Sequence, residues 1–585
     1  MHSQAPRIRT FGLLLLLTIA IIAARLFQLQ IIQGKKYAAM AKGNRLHLLL
    51  EKPARGIIFD RHGHILVSNR IRYDLAIVPR MTGSSKSIAE VAAMLHIPQK
   101  EVALRLSADR ATPLAPVVIK KGLTAEEITL VMERKDRLRG ILIEKIPYRF
   151  YVYEGLASHL LGYVGEIDRE KLDKYRHLGY RMGDVIGKTG VEGAFDTILH
   201  GLHGGSQVDY GSAGTSSRVL ASMEAVRGGS LLLSLDRDTQ AVAEEALAGR
   251  PGAVVAVDVR NGEILAMASS PGYDPNIFVD SLTRNEWRNL SSHPYHPLQN
   301  RASHSAWPPG STFKMITLSA ALQERAVLAG ECFYCSGSYK LPGRRFRCWD
   351  LSGHGSVGLV EGMAQSCDIV FYELGRRLGE RSLHHYAKAF GLGEKSGLPL
   401  SGETAGKIPS ADWKEERFKQ KWYAGDTLNM SIGQGFVQAS PLQMALATAA
   451  VATGKLYKPL LVKAVISPGG AIVRKYEPVL RRSLPLRQDV LAIVRRGMLA
   501  AIKDPKGTGK LAAVEGVEVA GKTGTAEDPP RRPHAWFVGY APYAAPRVAV
   551  CVFLEQGGHG GATAAPIARR VLEKALFTIG TPLSP

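Results

Sequence analysis

Ser311 and Lys314 stand one helical turn apart in the run "AWPPGSTFKMITLSAALQE". Pro308, Pro309 and Gly310 force a turn, after which Phe313, Ile316, Leu318 and Leu322 recur with the period of a helix buried on one side. Positions i and i+3 share a helix face, so an amine at Lys314 can reach a hydroxyl at Ser311. Serine is a weak nucleophile until a neighbouring base takes its proton, and a lysine whose charge is disfavoured by burial can be that base. A serine in a first helical turn also has unpaired backbone N–H groups and a positive helix end beside it. Taken alone, S-x-x-K more often marks a capped helix with a surface lysine.

Two further motifs follow in order. "AQSCDIVFYELG" supplies Ser366, Cys367 and Asp368, and "AGKTGT" supplies Lys522, Thr523, Gly524 and Thr525. The ordered set S-x-x-K, S-x-N and K-T-G is the signature of serine β-lactamases and penicillin-binding proteins. In that chemistry Ser366 relays a proton between Lys314 and a leaving amine. Lys522 and the Thr523-Gly524-Thr525 segment bind a substrate carboxylate from a strand edge, and the N–H groups of Ser311 and Thr525 form an oxyanion hole. Asp368 departs from the usual Asn. An ionised Asp accepts hydrogen bonds but cannot donate, so it is expected to pair with Lys314 or Lys522.

A competing motif overlaps the third. "GVEVAGKT" (Gly516 to Thr523) satisfies the P-loop pattern, and "GAVVAVD" (Gly252 to Asp258) resembles a Walker B strand. A P-loop needs a helix that opens at its Lys-Thr. Here Gly524, Thr525 and the following Ala-Glu-Asp-Pro-Pro cannot open one, while Val517, Glu518, Val519 and Ala520 alternate like a strand. Lys522 is therefore expected on a strand. A second GKTG, at Lys188, lies outside the catalytic motifs and is a decoy.

The elements that must position these residues are legible in outline. "GAVVAVDVRNGEILAMASS" reads as a hairpin turning at Asn261-Gly262, which leaves Asp258 at a turn. "SLLLSLDRDTQAVAEEALAG" reads as a strand followed by a helix. "RGIIFDRHGHILVSNR" reads as two short strands around a His-Gly turn. "SSKSIAEVAAMLHI" and "TAEEITLVMERKDRL" read as amphipathic helices begun by Ser87 and Thr124. "GLHGGSQVDYGSAGTSS" and "VRGGS" are Gly/Ser-rich and are expected to mark boundaries.

A chain of 585 residues exceeds a single core, and 45% hydrophobic residues indicate a folded protein. Lys and Arg outnumber Asp and Glu by 75 to 52, a net charge of +23. Such a surface suits polyanions, but no aromatic-basic pattern points to nucleic acid. Near the N-terminus, Arg7 and Arg9 precede an uncharged run from Phe11 to Ala24, and the apolar character continues to Ile32 with only Arg25 charged. About 20 such residues cross a bilayer core, and no small-x-small cleavage site follows. The run reads as an uncleaved, single-pass anchor whose flanking arginines hold the N-terminus in the cytoplasm, so the rest of the chain lies outside.

Over nearly its whole length the chain resembles the class B penicillin-binding proteins. The resemblance is carried by "RGIIFDRHGHILVSN", "HLLGYVGEI", "IGKTGVEGAFDTILHG", "AVDVRNGEILAMASSPGYDPN", "NRASHSAWPPGSTFK", "GHGSVGLVEGMAQSCD", "GDTLNMSIGQG" with "SPLQMA", and "KTGTAE". Within the family it is most similar to the elongation type, the penicillin-binding protein 2 group, as the S-x-D form, "WFVGYAPY" and "GGHGGATAAPIA" indicate. That resemblance implies an α+β multidomain architecture. A cytoplasmic tail (1–10) and a transmembrane helix (11–32) would precede an elongated, mixed α/β pedestal domain (33–228). A transpeptidase domain (229–578) would follow, with a five-stranded antiparallel sheet, flanking helices and an all-helical subdomain. It implies a D,D-transpeptidase of the inner membrane, mostly periplasmic, that cross-links peptidoglycan stem peptides through an acyl-Ser311 and is acylated by β-lactams. No cofactor is implied for catalysis. The implied partners are a SEDS-family glycan polymerase and a periplasmic elongation scaffold. The alternative is a β-lactam sensor or cell-wall scaffold with little turnover.

Five cysteines fall at 332, 335, 348, 367 and 551. Cys335, Cys348, His354 and Cys367 flank the S-x-D motif in a loop-rich stretch and make a Cys3His set fit for a structural zinc, with Cys332 able to replace Cys335. In an oxidising exterior a disulfide from Cys332 or Cys335 to Cys348, or free thiols, stand as alternatives. Family members that carry Asp, Cys or His at equivalent positions agree with a metal. Cys551, in "RVAVCVFLE", reads as a core residue.

Overall fold

The structure, a computed structural model, describes all residues except 1–4, 36–45, 80–81, 83–84, 109–115, 139, 211–216, 280–281 and 581–585. The N-terminal helix Ala5–Phe27 runs into a π-helical turn, Gln28–Ile32. Phe11–Ile32, with a mean hydropathy of 2.2, is the one stretch among the described residues long and apolar enough to cross a membrane. Arg25 donates to the Gln28 side chain at 2.8 Å, which satisfies part of its charge along the helix itself.

The chain, this helix included, divides into two compact units. The first comprises Met1–Ala54, Ile71–Pro147 and Gly201–Arg227; the second comprises Arg55–Arg70, Tyr148–His200 and Gly228–Pro585. In the first unit, helices Ser85–Met94, Gln99–Ala108 and Ala125–Glu133 enclose Leu75, Ile77, Val91, Leu95, Val102, Ile119 and Val131. Thr124 caps its helix with a reciprocal Glu127 contact. Ser87, by contrast, lies inside a helix that already begins at Ser85, because several adjacent serines offered the same cap signal. The Gly/Ser-rich stretch that begins at Gly201 does mark a boundary, since the units divide at His200/Gly201 and again at Arg227/Gly228, within "VRGGS", but it is itself structured. Gly204–Tyr210 and Ser217–Met223 are strands that pair with each other and with Leu46–Glu51. Ladder hydrogen bonds need no side chains, so composition alone misreads such a strand; residues 211–216 of that stretch lie outside the described set.

In the second unit, Ile58–Phe59 pairs antiparallel with Ile65 and Val67 and parallel with Leu231 and Leu232. Beside them Arg55 and Arg149 share the buried Glu192, and Arg55 also holds Asp196 at 2.8 Å. Lys188, of the upstream GKTG, pairs with Asp168.

The central sheet is built from β1 (Gly252–Asp258), β2 (Ile264–Ser270), β3 (Ala520–Asp528), β4 (Arg531–Ala541) and β5 (Val548–Leu554). All pairings are antiparallel, in the order β2-β1-β5-β4-β3. The central strands read as continuous apolar runs because both faces are covered. Val254 and Ala256 point to one core with helices Arg237–Leu247 and Ala565–Thr578, whereas Ala253, Val255 and Val257 point to another with helix Pro441–Thr453. Cys551 on β5 is fully buried, and burial pushes its thiol well up. β3 lies at the sheet edge. The helical part includes α1 (Lys314–Gln323) and α2 (Asp368–Ala389). It also carries two small strand pairs, Cys332–Cys335 with Gly355–Gly358 and Ser338–Leu341 with Arg344–Arg347.

Candidate active site

Ser311 occupies a 3-10 turn, Gly310–Phe313, that leads directly into α1. Two glycines allow this turn to lie against the edge strand. Gly310 has φ +55°, and a Cβ there would sit 2.8 Å from the Thr525 carbonyl oxygen. A Cβ on Gly524 would meet the Pro309 carbonyl, the Thr312 side chain and Trp536, each at 2.9 Å. Gly310 N–H also donates to the Gly433 carbonyl at 3.0 Å. Residues of the first and third motifs are thereby in contact, although some two hundred positions of chain separate them. β3 begins only at Ala520, with Val517 bridged back to Val514 in a turn. Lys522 is thus on a strand that continues past Thr523, and no helix opens there.

Lys314 is fully buried on the first turn of α1. Its ammonium donates to the Ser366 carbonyl at 2.8 Å, the Ser366 hydroxyl at 3.2 Å and Asp368 Oδ1 at 2.8 Å. No hydrogen bond joins it to Ser311 among the described residues; the second motif takes its donors instead. Lys522, also fully buried, donates to the same Ser366 hydroxyl at 2.8 Å and to the Thr523 carbonyl at 2.9 Å. Ser366 Oγ therefore lies between two amines. With both lone pairs engaged, its own proton is available to a third group. The left-handed backbone of Ser366, φ +57°, puts it there, a conformation an ordinary residue holds only when its surroundings enforce it. Burial, together with the charge of Lys314, pushes the Lys522 amine well below the ordinary lysine range, and Asp368 opposes this.

Asp368 is the first residue of α2 and spends its second oxygen on the Trp349 backbone N–H at 2.9 Å. The Thr523 hydroxyl pairs with that of Thr508 at 2.7 Å. The Thr525 carbonyl receives the Gln434 side chain at 3.3 Å. Trp349, Thr508 and Gln434 complete these contacts from outside the three motifs. Gln434 lies in the quoted "SIGQG"; a single threonine or a loop tryptophan leaves no spacing signal.

No disulfide joins any of the five cysteines. The donor atoms of Cys335, Cys348, His354 and Cys367 lie within 4.8 Å of one another, and both Cys335 and Cys348 sulfurs are 3.5 Å from His354 Nδ1. Cys332 is exposed and directed at the Gly330 carbonyl, so it neither replaces Cys335 nor forms the alternative disulfide. Contact between the Cys348 and Cys367 thiols pulls the first below the ordinary thiol range and pushes the second up. The other ring nitrogen of His354, buried, has no hydrogen-bond partner among the described residues.

Two family models match the chain: the penicillin binding protein transpeptidase domain over residues 252–573 and the penicillin-binding protein dimerisation domain over residues 50–233. A curated relative, the peptidoglycan D,D-transpeptidase MrdA of Haemophilus influenzae, is 33% identical over 96% of this chain and 90% of its own. Among solved structures, the complex between penicillin-binding protein PBP2 and MreC from Helicobacter pylori superposes with a TM-score of 0.81 at 27% identity, covering 92% of this chain and 99% of that one. A structure titled "Structural coordination of polymerization and crosslinking by a peptidoglycan synthase complex" matches with a TM-score of 0.70 at 29% identity, covering 97% of each chain. A transpeptidase model that covers more than half the chain, and a relative one-third identical across nearly all of it, agree with the Ser311, Ser366 and Lys522 geometry: the chain belongs to the class B penicillin-binding proteins.

Proposed function

We propose that the protein is a membrane-anchored peptidoglycan D,D-transpeptidase of the elongation type, with residues 229–578 as its catalytic domain and 33–228 as its pedestal. The observation that carries this reading is the Ser366 hydroxyl held between Lys314 and Lys522, beside the turn that bears Ser311. Lys314 first hands one ammonium proton to Asp368 Oδ1, 2.8 Å away, and as the neutral amine takes the proton of Ser311 Oγ while that oxygen attacks the carbonyl of a D-Ala-D-Ala bond. The proton reaches the departing D-alanine amine through Ser366, which leaves an acyl-Ser311 ester. An acceptor amine from a second stem peptide then displaces the serine and completes the cross-link. Lys522, Thr523 and Thr525 hold the terminal carboxylate, with Gly524 keeping the strand bare, and the N–H groups of Ser311 and Thr525 stabilise the oxyanion. Asp368 anchors Lys314. β-Lactams acylate the same serine.

Cys335, Cys348, Cys367 and His354 Nδ1 hold a structural zinc in this reading. The support is a Cys3His donor set already converged, with one thiol pushed down and a ring nitrogen directed at two sulfurs. Such a metal would fasten the 332–358 segment to the residue between Ser366 and Asp368. Arg7 and Arg9 before the apolar helix support an inner-membrane location with the bulk in the periplasm. The PBP2–MreC and synthase-complex neighbours support a periplasmic scaffold and a glycan polymerase as partners.

Fluorescent penicillin labelling of the full-length protein and of Ser311→Ala tests the nucleophile; equal labelling of both would refute it. Loss of cross-links and rounding of cells on depletion are expected, whereas labelling without any change in cross-linking would indicate a sensor. Metal analysis of protein purified without chelator is expected to give about one zinc per chain, lost in Cys367→Ser.

A further inference from the structure

The hairpin Ser338–Leu341/Arg344–Arg347 carries a charge arrangement that costs stability and that no step above uses. Its register places Lys340 opposite Arg345 and Ser338 opposite Arg347. Cross-strand pairs share a face, and the opposed pairs alternate, so Lys340, Arg345 and Arg347 lie on one side, all exposed. The other side bears Tyr339 and the buried Phe346, which pack against Tyr372 of α2, with Arg344 over the Phe346 ring. Like charges directly opposite on adjacent strands repel at about 5 Å. Nearby acids do not relieve this. Glu373 is taken by Arg376, Arg377 and Tyr339, and Asp350 by Ser352. Among the described residues, no carboxylate pairs with Lys340, Arg345 or Arg347. The chain is basic throughout, so the number of cations decides nothing; their unrelieved opposition on a small two-stranded face does.

The position of this face relates it to the candidate site. Arg347 is followed by Cys348 and Trp349, and the Trp349 N–H holds Asp368, which holds Lys314. The Arg347 carbonyl receives the Tyr372 hydroxyl from α2, one turn beyond Asp368. Trp349 itself is 60% exposed, with its indole N–H on the Gln365 carbonyl. A tricationic face, with an exposed tryptophan two residues beyond Arg347 in the chain and a backbone link through it to Asp368, matches a polymer that carries repeated carboxylates.

We propose that Lys340, Arg345 and Arg347 form a docking face for uncross-linked peptidoglycan strands, engaging free carboxylates of stem peptides other than the one entering the site. This inference rests on the transpeptidase reading, and its test separates the two. The full-length protein, the triple variant Lys340→Gln/Arg345→Gln/Arg347→Gln and the charge-preserving Arg345→Lys/Arg347→Lys are compared in two assays. One measures binding of uncross-linked strands across a salt series; the other measures acylation by fluorescent penicillin, which is too small to span the hairpin. The triple variant is expected to bind strands about tenfold more weakly and with a flatter salt dependence, while it is acylated within about twofold of the wild type. The Lys variant is expected to behave as wild type. Unchanged strand binding in the triple variant overturns the inference, as does an equal loss in the Lys variant or a loss in the triple variant confined to a preference for anionic over zwitterionic vesicles, with strand binding intact. Failure of the wild type to be acylated would instead overturn the transpeptidase reading, and the strand-binding comparison would still be readable.

Discussion

Lys314 Nζ and Asp368 Oδ1 meet at 2.8 Å in an ion pair whose lysine is fully buried and whose carboxylate is almost so. Removing one partner of such a pair leaves an uncompensated charge in the interior. Asp368→Ala is therefore expected to cost about 3 kcal/mol of stability and to slow penicillin acylation. Asp368→Asn keeps an acceptor for Lys314 and is expected to lose less on both measures. Urea unfolding and stopped-flow acylation of the two variants check this; equal stability of Ala and wild type would show that the pair is not energetically coupled.

The depressed Lys522 amine has a consequence for pH dependence. A lysine pushed below its ordinary range loses its charge at a lower pH, so its hold on a ligand carboxylate weakens earlier as pH rises. Acylation by penicillin should accordingly fall on the alkaline side well before an ordinary lysine titrates. Arginine stays charged, so Lys522→Arg should move that limb upward even though its overall rate is lower. A pH–rate profile of both proteins decides the point, and an unmoved limb in the variant would assign it elsewhere.

Gly524→Ala is expected to impair the site more than the fold. The added methyl group would press on the Pro309 carbonyl, the Thr312 side chain and Trp536 at once. Overpacking of this kind costs about 1–3 kcal/mol, but the displaced atoms belong to the turn that carries Ser311. Acylation should fall by more than tenfold for about 2 kcal/mol lost. A stability loss with normal acylation would mean that the turn does not move.

Glu244 supplies a pH-dependent element remote from the reaction. Burial pushes its carboxyl up to about 7, against hydrogen bonds from the Gln240 side chain and the Ala157 N–H that favour the charged form. A raised folded value means that the neutral acid is preferred in the native state. That contribution is complete below the ordinary carboxyl value and is lost as pH rises through about 7. Its size is on the order of 3 kcal/mol. Melting temperatures measured from pH 5 to pH 8 should therefore fall more steeply for wild type than for Glu244→Gln, all else being equal; parallel curves would exclude Glu244 as a source of the slope.

The buried Glu192 joins Arg55 and Arg149. Glu192→Ala would leave two guanidinium groups without this partner and is expected to cost about 3–5 kcal/mol. Chemical denaturation measures the loss directly, and a loss below about 1 kcal/mol would place the cluster among weak surface pairs.

What was legible in the sequence was local or periodic. The membrane-length apolar run, the hairpin at Asn261-Gly262, the cap at Thr124 and the three motif strings each depend on neighbours a few positions away, and such neighbours are read directly. The P-loop lookalike also yielded to local reading, because Gly524 to Asp528 cannot open a helix; the strand nonetheless starts at Ala520, later than the alternation from Val517 suggested. A repeated local signal displaces an element's start, as with the serines around Ser87, and the Gly/Ser-rich stretch from Gly201, which does mark a boundary, gives no composition signal for the strand Gly204–Tyr210. Tertiary structure alone decided which amine meets which hydroxyl. Lys314 spends its hydrogen bonds on Ser366 and Asp368, Lys522 reaches the same Ser366, Cys335 and not Cys332 joins the thiol cluster, and Trp349 holds Asp368 by its backbone. These partners come from distant parts of the chain, and they are brought together by the packing of the edge strand and two helices, which no spacing in the sequence encodes.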